Sequence, residues 1–183
     1  INPHFLYNTL ESITWMVEAQ KNREAVIMIS ELAKLLRVSL SRGKTIISIK
    51  DELQHSRSYM NIQLVRYKER FKIDFQIDEE LYNYCIVKLV IQPILENAIR
   101  YGLEEISEVC HISIRASVKE NVLLIEVKNN GSSFEEHLLE KLETEEIHPH
   151  GFGIGLLNIH KRLTLSYGKE YGLKLTNAED ELT

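Results

Sequence analysis

The chain has 183 residues, of which 44% are hydrophobic and 27% are charged, and its formal net charge at pH 7 is −5. This is the composition of a globular protein with enough apolar residues for a core, or for two small domains. The acidic balance argues against a nucleic-acid-binding surface, and no apolar run reaches the ~18 residues of a membrane-spanning helix.

The first segment is predicted to be an amphipathic helix. Asn2 and Pro3 suit its N-cap and its first turn. An apolar stripe with the spacing i, i+4, i+7, i+11 is formed by Leu6, Leu10, Ile13 and Val17. His4 is offset from the start of this stripe by about 200° around the helix axis, on the side of Asn8. It is therefore hard to interpret as a core residue, and is either a plain surface residue or one presented for a purpose.

A second amphipathic helix follows a short polar turn. Its apolar positions are Ala25, Ile29, Leu32, Leu36 and Leu40. Two such helices predict an antiparallel hairpin, which forms a first domain over residues 1–46. Because a lone hairpin cannot bury both stripes, we expect it to pair with a second copy in a four-helix bundle, which makes the protein a homodimer.

Residues 47–183 mix helical and strand patterns and are predicted to form a second domain. Ser48 followed by Asp51 resembles a capping box at the start of a helix. Strict alternation predicts a half-buried strand, and two further apolar runs around a short turn predict a hairpin. The expected elements are a helix over 48–68, strands over 71–77, 111–118 and 122–127, a short helix over 134–142, a helix that opens at the last glycine cluster, and a strand over 171–176.

The segment 92–102 is predicted to be a helix with a chemically unusual edge. Its apolar face is formed by Leu95, Ala98 and Ile99. Asn97 and Arg100 lie together on another face, which Tyr101 extends. An amide oxygen beside a guanidinium suits a bound metal–phosphate group, since Mg²⁺ takes oxygen ligands and arginine pairs with phosphate oxygens. Taken alone, the segment could equally be a buried helix with a polar edge.

Two glycine-containing stretches lie downstream. The loop Asn129-Asn130-Gly131 ends the second strand of the predicted hairpin, and Gly151, Gly153 and Gly155 precede a helix. Glycines before a helix let backbone N–H groups approach a phosphate. The second stretch is neither a P-loop nor a dinucleotide-binding turn, because no Gly-Lys-Ser/Thr follows it and no strand precedes it.

The order of these motifs resembles the ATP-binding domain shared by gyrase, Hsp90, MutL and histidine kinases. The stretch Asn2-Pro3-His4-Phe5-Leu6-Tyr7-Asn8 resembles the phosphoacceptor box of sensor histidine kinases in the LytS-like branch, and Gln92-Pro93-Ile94-Leu95-Glu96-Asn97-Ala98 resembles their asparagine box. The implied fold is α+β: a dimerising helical hairpin followed by an α/β sandwich of this ATPase type. A final strand is expected after Thr183.

The resemblance also implies residue roles. His4 would be phosphorylated from ATP and would pass the phosphoryl group to a response-regulator aspartate. Asn97 would coordinate the Mg²⁺ that bridges the ATP phosphates, and Asn129 would accept a hydrogen bond from the adenine amino group. Residues 143–150 would form a lid over ATP. The further ATP contacts implied are Arg100, Tyr101, Gly131, Gly151, Gly153, Gly155 and the N–H of Leu156.

Two departures from the family pattern keep alternatives open. Asn129 replaces the usual aspartate, which weakens the bond to adenine, and Ser133 stands where glycine is common. The chain could therefore be a nucleotide-binding dimeric scaffold with weak catalysis, or an ATPase of the gyrase–Hsp90 type. The first motif opens the chain, so we expect a piece of a longer protein, the cytoplasmic portion of a membrane-anchored sensor.

Overall fold

The computed structural model describes residues 3–40, 44–104, 109–144 and 153–177. Two helices come first, and mixed helices and strands follow. The elements are α1 (Pro3–Glu18), α2 (Asn22–Ser39), β1 (Ile46–Ser48), α3 (Ile49–Tyr67), β2 (Phe71–Gln76), β3 (Cys85–Val87), α4 (Ile91–Glu104), β4 (Cys110–Lys119), β5 (Val122–Asn129), α5 (Leu138–Glu143) and α6 (Gly153–Tyr167). The α+β class is confirmed.

Helices α1 and α2 form the expected hairpin, and its buried face packs against α3. The buried positions are Phe5, Thr9, Ile13 and Met16 on α1, and Ala25, Met28, Leu32 and Leu35 on α2. The Phe5 ring lies 5.0 Å from the Tyr59 ring of α3. Leu10 and Ile29 of the predicted stripes are exposed in the single chain, in line with the expectation that a lone hairpin cannot bury both stripes. Periodicity predicts a helix but not which element will pack against it. Because α3 packs against the hairpin, the residues buried on α1 and α2 are shifted by about one position from the predicted stripes.

An apolar surface remains exposed on the other side of the hairpin. It consists of Tyr7, Leu10, Trp15, Val17, Val26, Ile27 and Ile29. Several exposed large apolar side chains on two neighbouring helices are typical of an interaction surface.

Strands β2, β4 and β5 form a three-stranded mixed sheet. Strand β2 is parallel to β4, with Phe71 opposite Cys110, and β4 is antiparallel to β5. The β4–β5 turn is Glu120-Asn121, and both residues have positive φ, as a two-residue type I′ turn requires. Helices α3 and α4 contact this sheet. The predicted hairpin is thus confirmed, with its strands extended by one or two residues.

A small sheet that the sequence did not predict joins β1 and β3. The two strands are antiparallel, with Ile47 opposite Ile86. Each strand leads towards a helix, β1 directly into α3 and β3 three residues before α4. The pair therefore holds the starts of α3 and α4 side by side. At three residues each, the strands are too short for alternation to reveal them.

The predicted strand over residues 171–176 is wrong, because no strand lies in the described residues after α6. Side-chain hydrogen bonds hold this segment instead. The N–H of Leu173 donates to Nδ1 of His160 on α6, at 3.2 Å, and Asn177 pairs with the backbone of Phe134. A strand also needs a neighbouring strand to bond with, and the sequence of a short segment does not show whether one is present.

Among the described helices, none has the length and apolar character needed to cross a membrane.

His55 connects α2 and α3 inside the core. Its side chain is fully buried, and Nε2 lies 2.9 Å from the hydroxyl of Ser39 at the end of α2. Within the described residues Nδ1 has no hydrogen-bond partner. Burial lowers the pKa of His55 from 6.5 to about 4, because the imidazolium would lose its hydration.

This pKa predicts acid sensitivity. The histidine binds a proton more readily in the unfolded chain, so its contribution to the free energy of unfolding is complete above pH 6.5 and is lost as the pH falls to about 4. The expected loss is up to about 3 kcal/mol, at ~1.4 kcal/mol per pKa unit.

The measurement is denaturant unfolding between pH 7 and pH 4.5 for the parent chain and for His55→Gln. We expect a smaller pH dependence in the variant, whose amide does not titrate. Comparing the two chains cancels the contribution of the carboxylates. His111→Gln, at an exposed position, serves as the control. Equal pH slopes in all three chains would contradict the assignment of a neutral buried His55.

Candidate functional site

Helix α4 carries the central residues of the site, and a carboxylate from α3 fixes its first turn. Glu52 is completely buried. Its Oε1 accepts hydrogen bonds from the N–H groups of Val90 and Ile91, at 2.8 and 2.9 Å, and its Oε2 accepts one from Leu89, at 2.7 Å. The first N–H groups of a helix have no partner within the helix, and an anion there also complements the helix dipole. Glu52 therefore sets where α4 begins and how it is oriented.

Arg162 of α6 completes this junction from the opposite side. Its guanidinium donates to the backbone carbonyls of Lys88 and Leu89. Leu89 has a φ of 59°, which is strained for a leucine, and the bonds from both sides hold it there. Burial raises the pKa of Glu52, and the three N–H donors and the charge of Arg162 oppose that rise. The junction joins α3, α4 and α6.

Asn97 lies on the second turn of α4 and is only 3% exposed. Its Nδ2 donates to the carbonyl of Pro93 at 2.8 Å, which fixes the orientation of the amide. Its Oδ1 is buried, and none of the described residues donates to it. A buried acceptor without a partner costs about 1–3 kcal/mol. An oxygen held in this way is suited to coordinate a hard cation such as Mg²⁺.

The residue before Asn97 is also largely buried. Glu96 accepts a hydrogen bond from Nε2 of Gln92, at 2.8 Å. Burial raises the pKa of Glu96, and the bond from Gln92 opposes the rise. Burial raises the pKa of Tyr59 on α3 and the charge of Glu96 raises it further, so the two acidic groups lie close to each other. This side of α4 therefore faces α3.

The C-terminal half of α4 meets the loop that follows β5. Tyr101 packs edge-on against Phe134, with ring centroids 6.0 Å apart. A Cβ placed on Gly131 would come within 2.8 Å of the backbone of Gly102, so any side chain there would separate the loop from the helix. Arg100 lies beside Tyr101 on the exposed face of α4. The structure thus brings Tyr101 and Gly102 of α4 against Phe134 and Gly131 of the loop.

Asn129 is the last residue of β5 and is half-buried, opposite Ile112 of β4. Its Nδ2 lies 2.6 Å from the position that a Cβ on Gly131 would occupy, so the amide lies against the start of the loop. The next residue anchors the loop to β4: Oδ1 of Asn130 accepts from the N–H of His111 at 2.6 Å. The end of β5 is therefore well fixed beside α4.

Helix α6 begins at Gly153, and its first turn faces α4. A Cβ placed on Gly155 would lie 3.7 Å from Cβ of Pro93, an ordinary contact. Packing within the chain therefore does not require glycine at position 155, which is consistent with a close approach of a ligand. The side chain of Leu156 is buried in the core, so only its backbone N–H is available to a ligand. Gly151 lies outside the described residues, as does most of the predicted lid, 145–150.

His4 lies in the first turn of α1 and is exposed. The Nδ2 atom of Asn8, one turn further along, is 3.2 Å from both ring nitrogens of His4. Phe5 lies about 100° further around the helix, is buried and packs on Tyr59, which anchors this turn to α3. His4 is thus presented on a fixed helix, on the side predicted from the sequence.

Several residues that shape the site had no signal in the sequence. Glu52, Arg162 and Asn177 act through contacts with residues 37 to 74 positions away. Spacing rules apply only within one helix or strand, so they could not identify these residues. Among the described residues there is no cluster of three or more His, Cys, Asp or Glu side chains that could hold a metal. Asn97, the one predicted metal ligand, is thus not part of such a cluster within the described residues.

Comparisons with known proteins identify the family of both parts of the chain. The family model described as histidine kinase matches residues 1–71. The model described as histidine kinase-, DNA gyrase B- and HSP90-like ATPase matches residues 86–180, more than half of the chain. The solved catalytic domain of histidine kinase ThkA is similar in fold, with a TM-score of 0.52 and 18% sequence identity, over 68% of this chain and 82% of that one.

Curated relatives match over nearly the whole chain. Sensor histidine kinase YesM of Bacillus subtilis is 40% identical over 183 residues, which is 100% of this chain and 30% of that protein. Sensor histidine kinase YpdA of Escherichia coli is 33% identical, over 98% of this chain and 31% of that protein. Sensor protein LytS of Bacillus anthracis is 28% identical, over 100% and 31%. The chain thus spans about 30% of the length of these relatives.

The two family models follow one another in the order of the two boxes found in the sequence, and the relatives include LytS itself, so the resemblance to the LytS-like branch is confirmed. The chain belongs to the histidine kinases, within the family of histidine kinase-, DNA gyrase B- and HSP90-like ATPases.

Proposed function

We propose that this chain is the core of a sensor histidine kinase that transfers the γ-phosphoryl group of ATP to His4 and then to an aspartate of a response regulator. The observation that carries the proposal is the oxygen Oδ1 of Asn97, which is buried, oriented and without a donor among the described residues. It lies on α4, in the ATPase part of the chain, while an exposed histidine opens α1.

The nucleotide would lie between α4, the end of β5 and the start of α6. Asn129 would accept from the adenine amino group, with Gly131 beside it at the base end. Arg100 and Tyr101 would lie along the edge of α4, with the guanidinium close to the phosphates. The backbone at Gly151, Gly153, Gly155 and Leu156 would line the phosphates, because N–H groups at a helix start favour negative charge.

Mg²⁺ would be held by Oδ1 of Asn97 together with oxygens of the ATP phosphates. When bound, the ion neutralises phosphate charge and orients the γ-phosphoryl group. The chain contributes a fixed amide: the bond from Nδ2 to the carbonyl of Pro93 keeps the oxygen pointing away from that carbonyl. A single protein ligand is reasonable because Mg²⁺ is usually bound by few side chains plus phosphates and water.

In the transfer step, a ring nitrogen of His4 forms a bond to the γ-phosphorus while the bond to the β–γ bridging oxygen breaks and ADP leaves. The imidazole carries its own lone pair, and its remaining proton passes to solvent. The amide of Asn8 lies close enough to hold the orientation of the ring. Phosphoryl transfer depends mainly on positioning and charge stabilisation, which Asn97, Arg100 and the N–H groups at the start of α6 would supply.

The partners follow from the exposed surface and from the relatives. The exposed apolar residues of α1 and α2 would pair with those of a second copy, which completes a four-helix bundle over residues 1–46 and leaves residues 47–183 as the ATP-binding domain. The relatives are named as sensors and are about three times longer. We therefore propose that the whole protein adds a sensor part and a membrane anchor, with this portion on the cytoplasmic side.

His4→Gln tests the phosphoacceptor. We expect His4→Gln to abolish labelling from γ-labelled ATP and to leave the affinity for Mg-ATP unchanged, because His4 lies on α1 and the nucleotide site on α4, β5 and α6. The label on the parent chain should be acid-labile and base-stable. His111→Gln, another exposed histidine, is the matched control and should keep the label. Full labelling of His4→Gln would show that the phosphoacceptor is elsewhere.

Asn97→Ala tests the metal ligand. We expect the dissociation constant of Mg-ATP to rise at least about tenfold, or ~1.4 kcal/mol, while binding without Mg²⁺ changes little. Titration calorimetry with and without Mg²⁺ measures both values. Asn22→Ala, at the exposed start of α2, is the control, and thermal unfolding checks the fold. A Mg-ATP affinity within about twofold of the parent, ~0.4 kcal/mol, would refute this role.

Asn129→Asp tests the adenine end. We expect tighter ATP binding and a stronger preference for ATP over GTP, since a carboxylate only accepts, whereas an amide can turn and offer its NH₂ to the guanine carbonyl. Competition of each nucleotide against a fluorescent ATP analogue gives the ratio. An unchanged or lower preference for ATP would place the adenine elsewhere.

The parent chain itself distinguishes the alternatives. If it binds ATP and carries no label at all, the scaffold alternative is correct. Phosphate release without a phosphoprotein would indicate an ATPase.

A further inference from the structure

The loop after β5 is held by a residue that none of the sequence motifs contains. Oδ1 of Asn177 accepts a hydrogen bond from the N–H of Phe134, and Nδ2 of Asn177 donates to the carbonyl of Phe134, both at 2.8 Å. One amide side chain thus satisfies both backbone groups of one residue, as a neighbouring β-strand would do. Phe134 lies five residues after Asn129, within the loop 131–137.

The ring of Phe134 is held from the other side by α4. Tyr101 packs against it edge-on, with the ring centroids 6.0 Å apart. Three residues before Phe134, Gly131 lies directly against the backbone of Gly102. The backbone of Phe134 therefore faces Asn177 while its ring faces Tyr101, and the loop cannot move away from α4 without breaking one of these contacts.

The segment that carries Asn177 is itself attached to α6. The N–H of Leu173 donates to Nδ1 of His160, which is half-buried on that helix. Nε2 of the same ring lies 3.5 Å from a carboxylate oxygen of Glu143 at the end of α5. A Cβ on Gly172 would come within 2.8 Å of the His160 ring, so this part of the segment lies close to the helix. Asn177 therefore links the loop at the end of β5 to the helix that begins at Gly153.

We propose that Asn177 is a positioning residue for the adenine end of the nucleotide, acting through Phe134, an inference that rests on the proposed ATP site. It holds the loop 131–137 in place before the nucleotide arrives. Without it, binding has to order the loop, and this cost appears as weaker affinity. The phosphate end is built on α4 and α6 and does not depend on the bond between Asn177 and Phe134. The transfer step should therefore be unaffected once the nucleotide is bound.

The test is Asn177→Ala, compared with the parent chain by labelling from γ-labelled ATP at increasing ATP concentration. We expect the half-saturating ATP concentration to rise about five- to tenfold, as the loss of two exposed hydrogen bonds predicts, while the labelling rate at saturation stays within about twofold of the parent. Adenosine used as a competitor should lose affinity by a similar factor, and Mg-tripolyphosphate should not. Asn83→Ala, at an exposed position in another part of the fold, is the control.

A second variant tests whether the effect passes through Phe134. Tyr101→Leu removes the opposite contact, and the double variant with Asn177→Ala should be less impaired than the sum of the two single effects, because both act on the same residue. Fully additive effects would overturn the link through Phe134. An unchanged half-saturating concentration in Asn177→Ala, or an equal fall in the saturated rate, would overturn the positioning role. Absence of nucleotide binding by the parent chain itself would instead refute the proposed function.

Discussion

The rest of the site depends on the hydrogen bonds that the buried carboxylate of Glu52 makes to the start of α4. The carboxylate accepts the N–H groups of Leu89, Val90 and Ile91 at the point where α4 begins, while Arg162 donates to the carbonyls of the same turn. A buried charge is tolerated only when several donors surround it. The donors to Glu52 all come from the start of α4, and Arg162 binds the carbonyls of the same turn, so these contacts fix α3, α4 and α6 relative to each other. The direction and register of α4 follow from this junction.

Once α4 is fixed, a local bond decides which atom of Asn97 is open. The amide could present either its nitrogen or its oxygen to the site, but its nitrogen donates to the carbonyl of Pro93 one turn earlier. Proline keeps this carbonyl in place and continues the first turn of the helix. The oxygen is thus left as the open acceptor, in a position that water reaches poorly. A short-range helical contact therefore leaves an oxygen, the atom type that hard cations bind, as the open acceptor on a helix oriented by long-range contacts.

The two ends of the proposed nucleotide cleft are stabilised differently. The α6 side is a helix start packed on Pro93, with Arg162 connecting the same helix to the first turn of α4. The side at the end of β5 is a loop, held by an aromatic contact, a close approach of two glycines and one amide. A helix docked on the core resists displacement, whereas a loop with few buried contacts opens at a lower free-energy cost. Under the proposed function, affinity at the base end would therefore depend more strongly on single residues such as Asn177.

The sequence by itself determined the features that depend on local spacing. Helical periodicity predicted α1, α2 and α4, alternation predicted β2, and two apolar runs around a short turn predicted β4 and β5. His4 and Asn97 stood out because their helix faces could be calculated. Only the tertiary structure decided what those faces meet: Phe5 rather than Leu10 is buried, since α3 lies against the hairpin. It also replaced an expected C-terminal strand with side-chain bonds from His160 and Asn177. Contacts between residues far apart in the chain follow no sequence period, which is why Glu52, Arg162 and Asn177 became visible only in the folded molecule.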